Sequence, residues 1–184
     1  MTEGIESLIT DEMRACIGTS TAPVELPEEI GASDVRRFLE VIGETNPLYR
    51  DDAYARRLGY RGRVVPPMLV VQLYRRVEDM DGEEGSAASM WPGLELPANY
   101  TNTRNAGHEF AWLRPVYVGD RLTLQQRLTD IYVRQGRVGV PVIYLVRETE
   151  IRNQHGQPVV RQTSTTAKLP EGPARQGEPA REGA

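Results

Sequence analysis

Val64-Val65-Pro66-Pro67-Met68-Leu69-Val70-Val71-Gln72-Leu73-Tyr74 is the most apolar stretch of the chain. Two prolines at its start and good helix formers after them predict a helix opening at Pro66 or Pro67. A helix that is apolar nearly all round has to be covered nearly all round. The cover lies downstream. His108, Phe110 and Trp112 alternate with Glu109, Ala111 and Leu113, and residues 122–133, 142–151 and 159–166 are rich in Val, Ile, Thr and Tyr. Gly119-Asp120, Gln135-Gly136 and His155-Gly156 supply turns between these runs. Helices first and strands second give an α+β class, and an antiparallel sheet wrapped around the apolar helix buries it.

Upstream, Ile5, Leu8, Ile9 and Met13 recur at helical spacing, and Val24 to Leu26, after Pro23, reads as a short strand. A clearer helix follows, with Ser33 or the preceding turn as its cap and Val35, Phe38, Leu39 and Ile42 on one face. Gly43 ends it. Asn46-Pro47 is a turn pair, and a short helix is expected over 51–58 before Gly59. Residues 81–97 form a long Gly/Ser/Glu-rich connection, of the length that is usually functional or mobile. Residues 170–184 hold three Pro, three Gly and three Ala but no Val, Ile, Leu or aromatic residue, and are expected to be disordered. The reading is an N-terminal helical extension over 1–17, one domain over 18–169 and a tail over 170–184.

The 184 residues carry 22 Lys+Arg against 26 Asp+Glu, a net charge of −4, with 39% hydrophobic and 26% charged residues. This describes a globular protein with room for a core, and the acidic balance argues against nucleic acid as partner. No run approaches the roughly 18 apolar residues of a membrane helix. The single cysteine, Cys16, forbids an intrachain disulfide, and two histidines, His108 and His155, argue against a metal site. The start Met1-Thr2-Glu3-Gly4 lacks a secretion signal, so the expected compartment is the cytosol.

Gly43-Glu44-Thr45-Asn46-Pro47-Leu48-Tyr49, then Asp51-Asp52-Ala53-Tyr54-Ala55, Leu58-Gly59-Tyr60-Arg61-Gly62 and Val65-Pro66-Pro67, resemble in order and spacing the MaoC-like hot-dog hydratases and dehydratases. Arg114-Pro115-Val116-Tyr117-Val118-Gly119-Asp120-Arg121-Leu122 looks like that family's strand-turn-strand element. The resemblance covers residues 18–168 and is strongest to the N-terminal MaoC type, including the partner subunits of heterodimeric hydroxyacyl-ACP dehydratases. It implies a single hot-dog fold in which the sheet wraps a central helix, and a homo- or heterodimer with another MaoC-like subunit. It also implies reversible hydration of an acyl thioester on CoA or acyl carrier protein, with no cofactor and no metal. Active members carry Gly-Asp-x-Asn-Pro-x-His, whose Asp and His activate water and shuttle protons. A backbone N–H at the head of the central helix holds the thioester oxygen.

Three positions depart from that pattern: Glu44 replaces Asp, Tyr49 replaces His, and Pro67 replaces a glycine at the helix head. A glutamate is one methylene longer, and a displacement of roughly 1 Å costs about 100-fold in rate. A tyrosine of ordinary pKa about 10 is a poor base at neutral pH. Proline has no N–H to donate, although that of Met68 is adjacent. Asn46 and Pro47 are retained. Glu44, Tyr49 and Asn46 are the candidate catalytic residues, and the alternative reading makes them turn residues. His108 reads either as a replacement base or as a packed strand histidine. Val65, Pro66, Pro67 and Met68 are candidate substrate contacts, the apolar run being either acyl tunnel or core. Arg61, with Arg56, Arg57 and Arg63, forms a basic cluster that could meet a CoA phosphate or an acidic carrier protein, or could be solvated.

The resulting expectation is the acyl-binding half of a heterodimeric hydratase/dehydratase. Two alternatives stay open: a self-sufficient homodimer using Glu44, and a non-catalytic acyl-thioester binding module.

Overall fold

A computed structural model of the chain describes residues 7–80, 91–136 and 139–171, with the backbone alone over 74–80. Most of the connection expected at 81–97 and nearly all of the tail lie outside the described residues.

The first helix, α1 (Asp11–Ala15), starts at Thr10, whose side chain caps it by accepting a hydrogen bond from Met13 N–H at 3.2 Å. Met13 is nevertheless fully buried, so this segment is docked rather than loose. A two-residue strand, β1 (Val24–Glu25), follows. In α2 (Ala32–Ile42) the N-cap is Gly31, whose N–H donates to the Asp34 carboxylate at 3.2 Å. Val35, Phe38 and Leu39 of α2 are buried. Ile42, expected on the same stripe, is 53% exposed, because the helix ends there and the stripe meets no further core beyond Leu39.

At Gly43 the chain adopts φ 67°, and Glu44 N–H reaches back to Leu39 carbonyl oxygen at 3.0 Å. A Cβ at Gly43 would meet nothing within 4 Å, so only the backbone conformation resists a larger residue. Gly43→Ala is expected to lower stability by about 1 kcal/mol, read as a shifted urea midpoint.

Beyond this reversal lie a 3₁₀ turn (Pro47–Tyr49), α3 (Asp52–Arg57) and α4 (Pro67–Met80). Pro67 occupies the first helical position of α4, where its missing N–H costs nothing. Four long strands complete the chain: β2 (Asn102–Trp112), β3 (Leu122–Gln135), β4 (Pro141–Asn153) and β5 (Pro158–Leu169). Each is longer than the expected segment, although β2 stops at Trp112 short of Leu113, since ladder pairing carries polar residues into the strands that local composition alone does not.

The five strands form one sheet in the order β1-β3-β4-β5-β2, every neighbour antiparallel. Register shifts interrupt β3 between Leu128 and Asp130 and β2 between Asn105 and Gly107, the kind of irregularity that bends a sheet. Leu69, Val70 and Val71 of α4 pack with Val35 and Leu39 of α2 and with Leu124, Ile151 and Val160 of the sheet. A second cluster joins Ile9 and Met13 to Trp91, Leu94, Leu128, Ile143 and Leu145. Thus the apolar helix is clasped by the sheet, the hot-dog arrangement expected of it. No helix among the described residues is long and apolar enough to cross a membrane.

Candidate functional site

Gly43 delivers the chain into the 44–50 turn, and there the side chains first satisfy their own backbone. Glu44 Oε1 accepts from Thr45 N–H and Asn46 N–H, both at 2.8 Å. Asn46 Oδ1 accepts from Leu48 N–H at 3.0 Å, capping the 3₁₀ turn. The Arg50 guanidinium donates from Nε to the Glu44 carbonyl oxygen at 3.0 Å. Tyr49 is half-buried and packs its ring on the core around Val35 and Leu39. Burial pushes its hydroxyl pKa above the usual value, and the nearby negative charge of Glu44 and the Tyr60 phenol push the same way. Tyr49 therefore remains protonated at neutral pH, able to donate a hydrogen bond but not to abstract a proton.

Beside Tyr49 lies a cavity of about 410 Å³, reached by Arg36, Arg50 and Arg63 and floored by Val35 and Leu39. Neither histidine lines it. Arg63 also pairs with Asp52 at 3.1 Å, whereas Arg36 has no ion pair among the described residues. Sequence reasoning passed over Arg36 and Arg50. The signal for Arg36 was its place in α2 next to the buried Val35 and one turn before the buried Leu39, a cation at the edge of the inward face.

At the head of α4, Val65 and Pro66 are buried, while Pro67 is exposed and Met68 is 51% exposed. Pro67 cannot donate, so Met68 N–H is the first donor of the helix and one of those that lack an acceptor inside it. Met68 and Val71 line a second cavity, of about 340 Å³, against the sheet. His108 lines this second cavity, hydrogen-bonded through Nδ1 to Gln162 Nε2 at 2.7 Å. His155 sits exposed in the β4–β5 turn.

The arginine cluster is divided by its partners. Arg61 reaches the carboxylate of Asp120, which is only 1% exposed, and lies over the Tyr117 ring at 4.3 Å. Asp120 also accepts from Tyr117 N–H at 2.8 Å and from Gln154 Nε2 at 3.0 Å. Arg61 thereby ties the segment before α4 to the strand-turn-strand element. Arg57 lies over the Tyr54 ring at 5.5 Å, and Arg56 is exposed. Cys16 is buried against carbonyl oxygens of Glu12 and Pro92. Among the described residues no group of three or more His, Cys, Asp or Glu is placed to hold a metal ion.

A bent antiparallel sheet clasping a largely apolar helix, with cavities at the helix head and beside the turn that precedes it, defines a hot-dog domain of the MaoC-like hydratase and dehydratase type. The chain belongs to the family described as the FAS1-like dehydratase domain region, which matches residues 15–162. A UPF0336 protein of Thermobifida fusca is 32% identical over 155 residues, covering 83% of this chain and 91% of the relative. Among solved structures, the fold is similar to that in the ChsH1–ChsH2 complex from Mycobacterium tuberculosis, with a TM-score of 0.68, 19% identity and coverage of 95% and 96% of the two chains. It is also similar to that in the C-terminally truncated HadBC (3R-hydroxyacyl-ACP dehydratase) complex of the same organism. There the TM-score is 0.57 and the identity 20%, covering 87% of this chain and 99% of that one.

Proposed function

We infer that this chain is the acyl-binding half of a two-subunit acyl-thioester hydratase/dehydratase, paired with a hot-dog subunit that brings an intact Asp and His. The observation that carries this reading is the state of the 44–49 turn. The Glu44 carboxylate accepts two backbone N–H groups of its own turn, Tyr49 is held protonated, and no imidazole lines the cavity beside it. Hydration adds a hydroxyl to the β carbon of an enoyl thioester and a proton to the α carbon, so the site that runs it needs a base for water and an acid for carbon. This turn offers a donor without a base.

The binding parts are retained. The N–H groups at the head of α4, starting with Met68, are suited to a thioester oxygen, and the cavity beside Met68 and Val71 receives the acyl group. Arg36, flanked by Arg50 and Arg63, offers charge-assisted donors for a phosphate of the thioester carrier, CoA or acyl carrier protein alike. Two of the similar solved structures are complexes by their own descriptions, which supports pairing here.

The test is hydration of crotonyl-CoA by the chain alone and with a hot-dog subunit carrying Gly-Asp-x-Asn-Pro-x-His. Turnover is expected only in the mixture, and Tyr49→Phe is expected to leave it within about threefold, under 1 kcal/mol of barrier. Activity of the lone chain that vanishes in Glu44→Ala would overturn the reading in favour of a homodimeric enzyme. Tight binding without turnover in either preparation would make the chain a binding module.

A further inference from the structure

The cavity beside Tyr49 gathers like charges. Arg36 of α2, Arg50 after the 3₁₀ turn and Arg63 before α4 all line it. Among the described residues no carboxylate does. The nearby acids are turned to other tasks. Asp34 accepts from Gly31 N–H, Glu44 from Thr45 and Asn46 N–H, and Asp52 holds Arg63. Guanidinium groups drawn to one space repel each other. Packing α2 does not require this, since its contact with the core runs through Val35, Phe38 and Leu39.

Two of these cations are set in advance. Asp52 accepts from Arg63 N–H at 2.9 Å and meets its guanidinium at 3.1 Å. Arg50 is tied through Nε to the Glu44 carbonyl oxygen at 3.0 Å. Side chains fixed in this way lose little entropy when an anion arrives. The start of α2 adds backbone donors. Gly31 N–H goes to Asp34, and the N–H groups of Asp34 and Val35 go to the Gly31 carbonyl oxygen. Those of Ala32 and Ser33 have no acceptor inside the helix, and both residues line the cavity. A helix start also favours negative charge. This one is anchored, Ile30 N–H donating to the Asp120 carbonyl oxygen at 3.0 Å. Ser33, Arg36 and Arg50 are exposed, so the site is open to a charged ligand.

Charge and size separate the two thioester carriers. A carrier protein holds its arm through a single phosphodiester, whereas CoA presents a diphosphate with twice the charge and twice the terminal oxygens. At roughly 30 Å³ per non-hydrogen atom, the figure for liquid water, a phosphodiester occupies about 150 Å³ and a diphosphate about 270 Å³. The second fills most of the 410 Å³ cavity and offers oxygens to guanidinium and N–H groups together. A carrier protein, itself acidic, would also have to approach a chain of net charge −4. Resting on the acyl-thioester reading above, we propose that this cavity is the subsite for the diphosphate of CoA. The chain thereby takes its acyl groups from free CoA thioesters rather than from a carrier protein.

Isothermal titration of the full chain with crotonyl-CoA, crotonyl-dephospho-CoA, crotonyl-pantetheine, a crotonylated acyl carrier protein and ADP tests this. Crotonyl-dephospho-CoA, which keeps the diphosphate, is expected to bind within about twofold of crotonyl-CoA. Crotonyl-pantetheine and the carrier protein are expected to bind at least about tenfold more weakly. In Arg36→Gln the gap between crotonyl-CoA and crotonyl-pantetheine is expected to close to about threefold, with Arg36→Lys keeping more of it. Circular dichroism of each variant separates lost preference from lost fold. Crotonyl-pantetheine or the carrier protein binding as tightly as crotonyl-CoA, or a gap unchanged in a folded Arg36→Gln, overturns the proposal and leaves the thioester reading standing. So does crotonyl-dephospho-CoA binding as weakly as crotonyl-pantetheine, which would move the recognition to the other phosphate of CoA. ADP binding as tightly as crotonyl-CoA, with crotonyl-pantetheine unbound, overturns the thioester reading and leaves the subsite. Failure of every probe overturns both.

Discussion

Val70→Asp is expected to abolish cooperative folding. Val70 is 1% exposed at the centre of the cluster where α4 meets α2 and the sheet. The substitution forfeits apolar burial of about 1.5 kcal/mol or more. It also places a carboxylate in an apolar cluster almost closed to water, at a penalty of several kcal/mol even after relaxation. The sum is comparable with the roughly 5–15 kcal/mol that holds a whole domain together. Far-UV circular dichroism and urea titration read the outcome, with Val70→Ala as the milder control that should retain a sigmoidal transition. A Val70→Asp chain unfolding at the same urea concentration as the natural one would show that the helix is not clasped in solution.

Arg61→Ala is expected to cost about 3 kcal/mol, the lower end of what removing one partner of a buried pair does. The lower end applies because the Arg61 side chain is 50% exposed, so solvent already screens the pair, and because Asp120 keeps two donors, Tyr117 N–H and the Gln154 amide. What remains is a carboxylate that is almost wholly buried without its counter-charge. Asp120→Asn added to Arg61→Ala should recover part of the loss, since the stranded charge is gone. A double-mutant cycle on urea midpoints gives the coupling directly. Coupling near zero would mean that Arg61 is a solvated cation without a structural role.

How much of this was legible beforehand differs between residues. The apolar run from Val64, with Pro67 at its first helical turn, announced a buried helix, and the alternation at His108, Phe110 and Trp112 announced a strand; both stand in the structure. The resemblance around Gly43 to Tyr49 located the turn beside the first cavity and marked the replaced dyad. It was silent on what the replacements do. That Glu44 closes its own turn depends on φ at Gly43 and on the placing of two N–H groups, which no residue list contains. Arg61 stood out only as one of four clustered cations, because its partner Asp120 lies 59 positions away.

By itself, the order of residues determined that a helix apolar on most sides must be wrapped, and that the proton-handling pair of the family is altered. The first follows from local composition and spacing, the second is what the family resemblance implies, and neither needs a tertiary contact to be stated. Only the tertiary structure decided that Gln126, Thr149, Gln162, Arg147, Ser164 and His108 share one cavity wall. They come from four strands and meet through ladder register, and register is fixed jointly by bulges, turns and the apolar rows on either side rather than by any one segment.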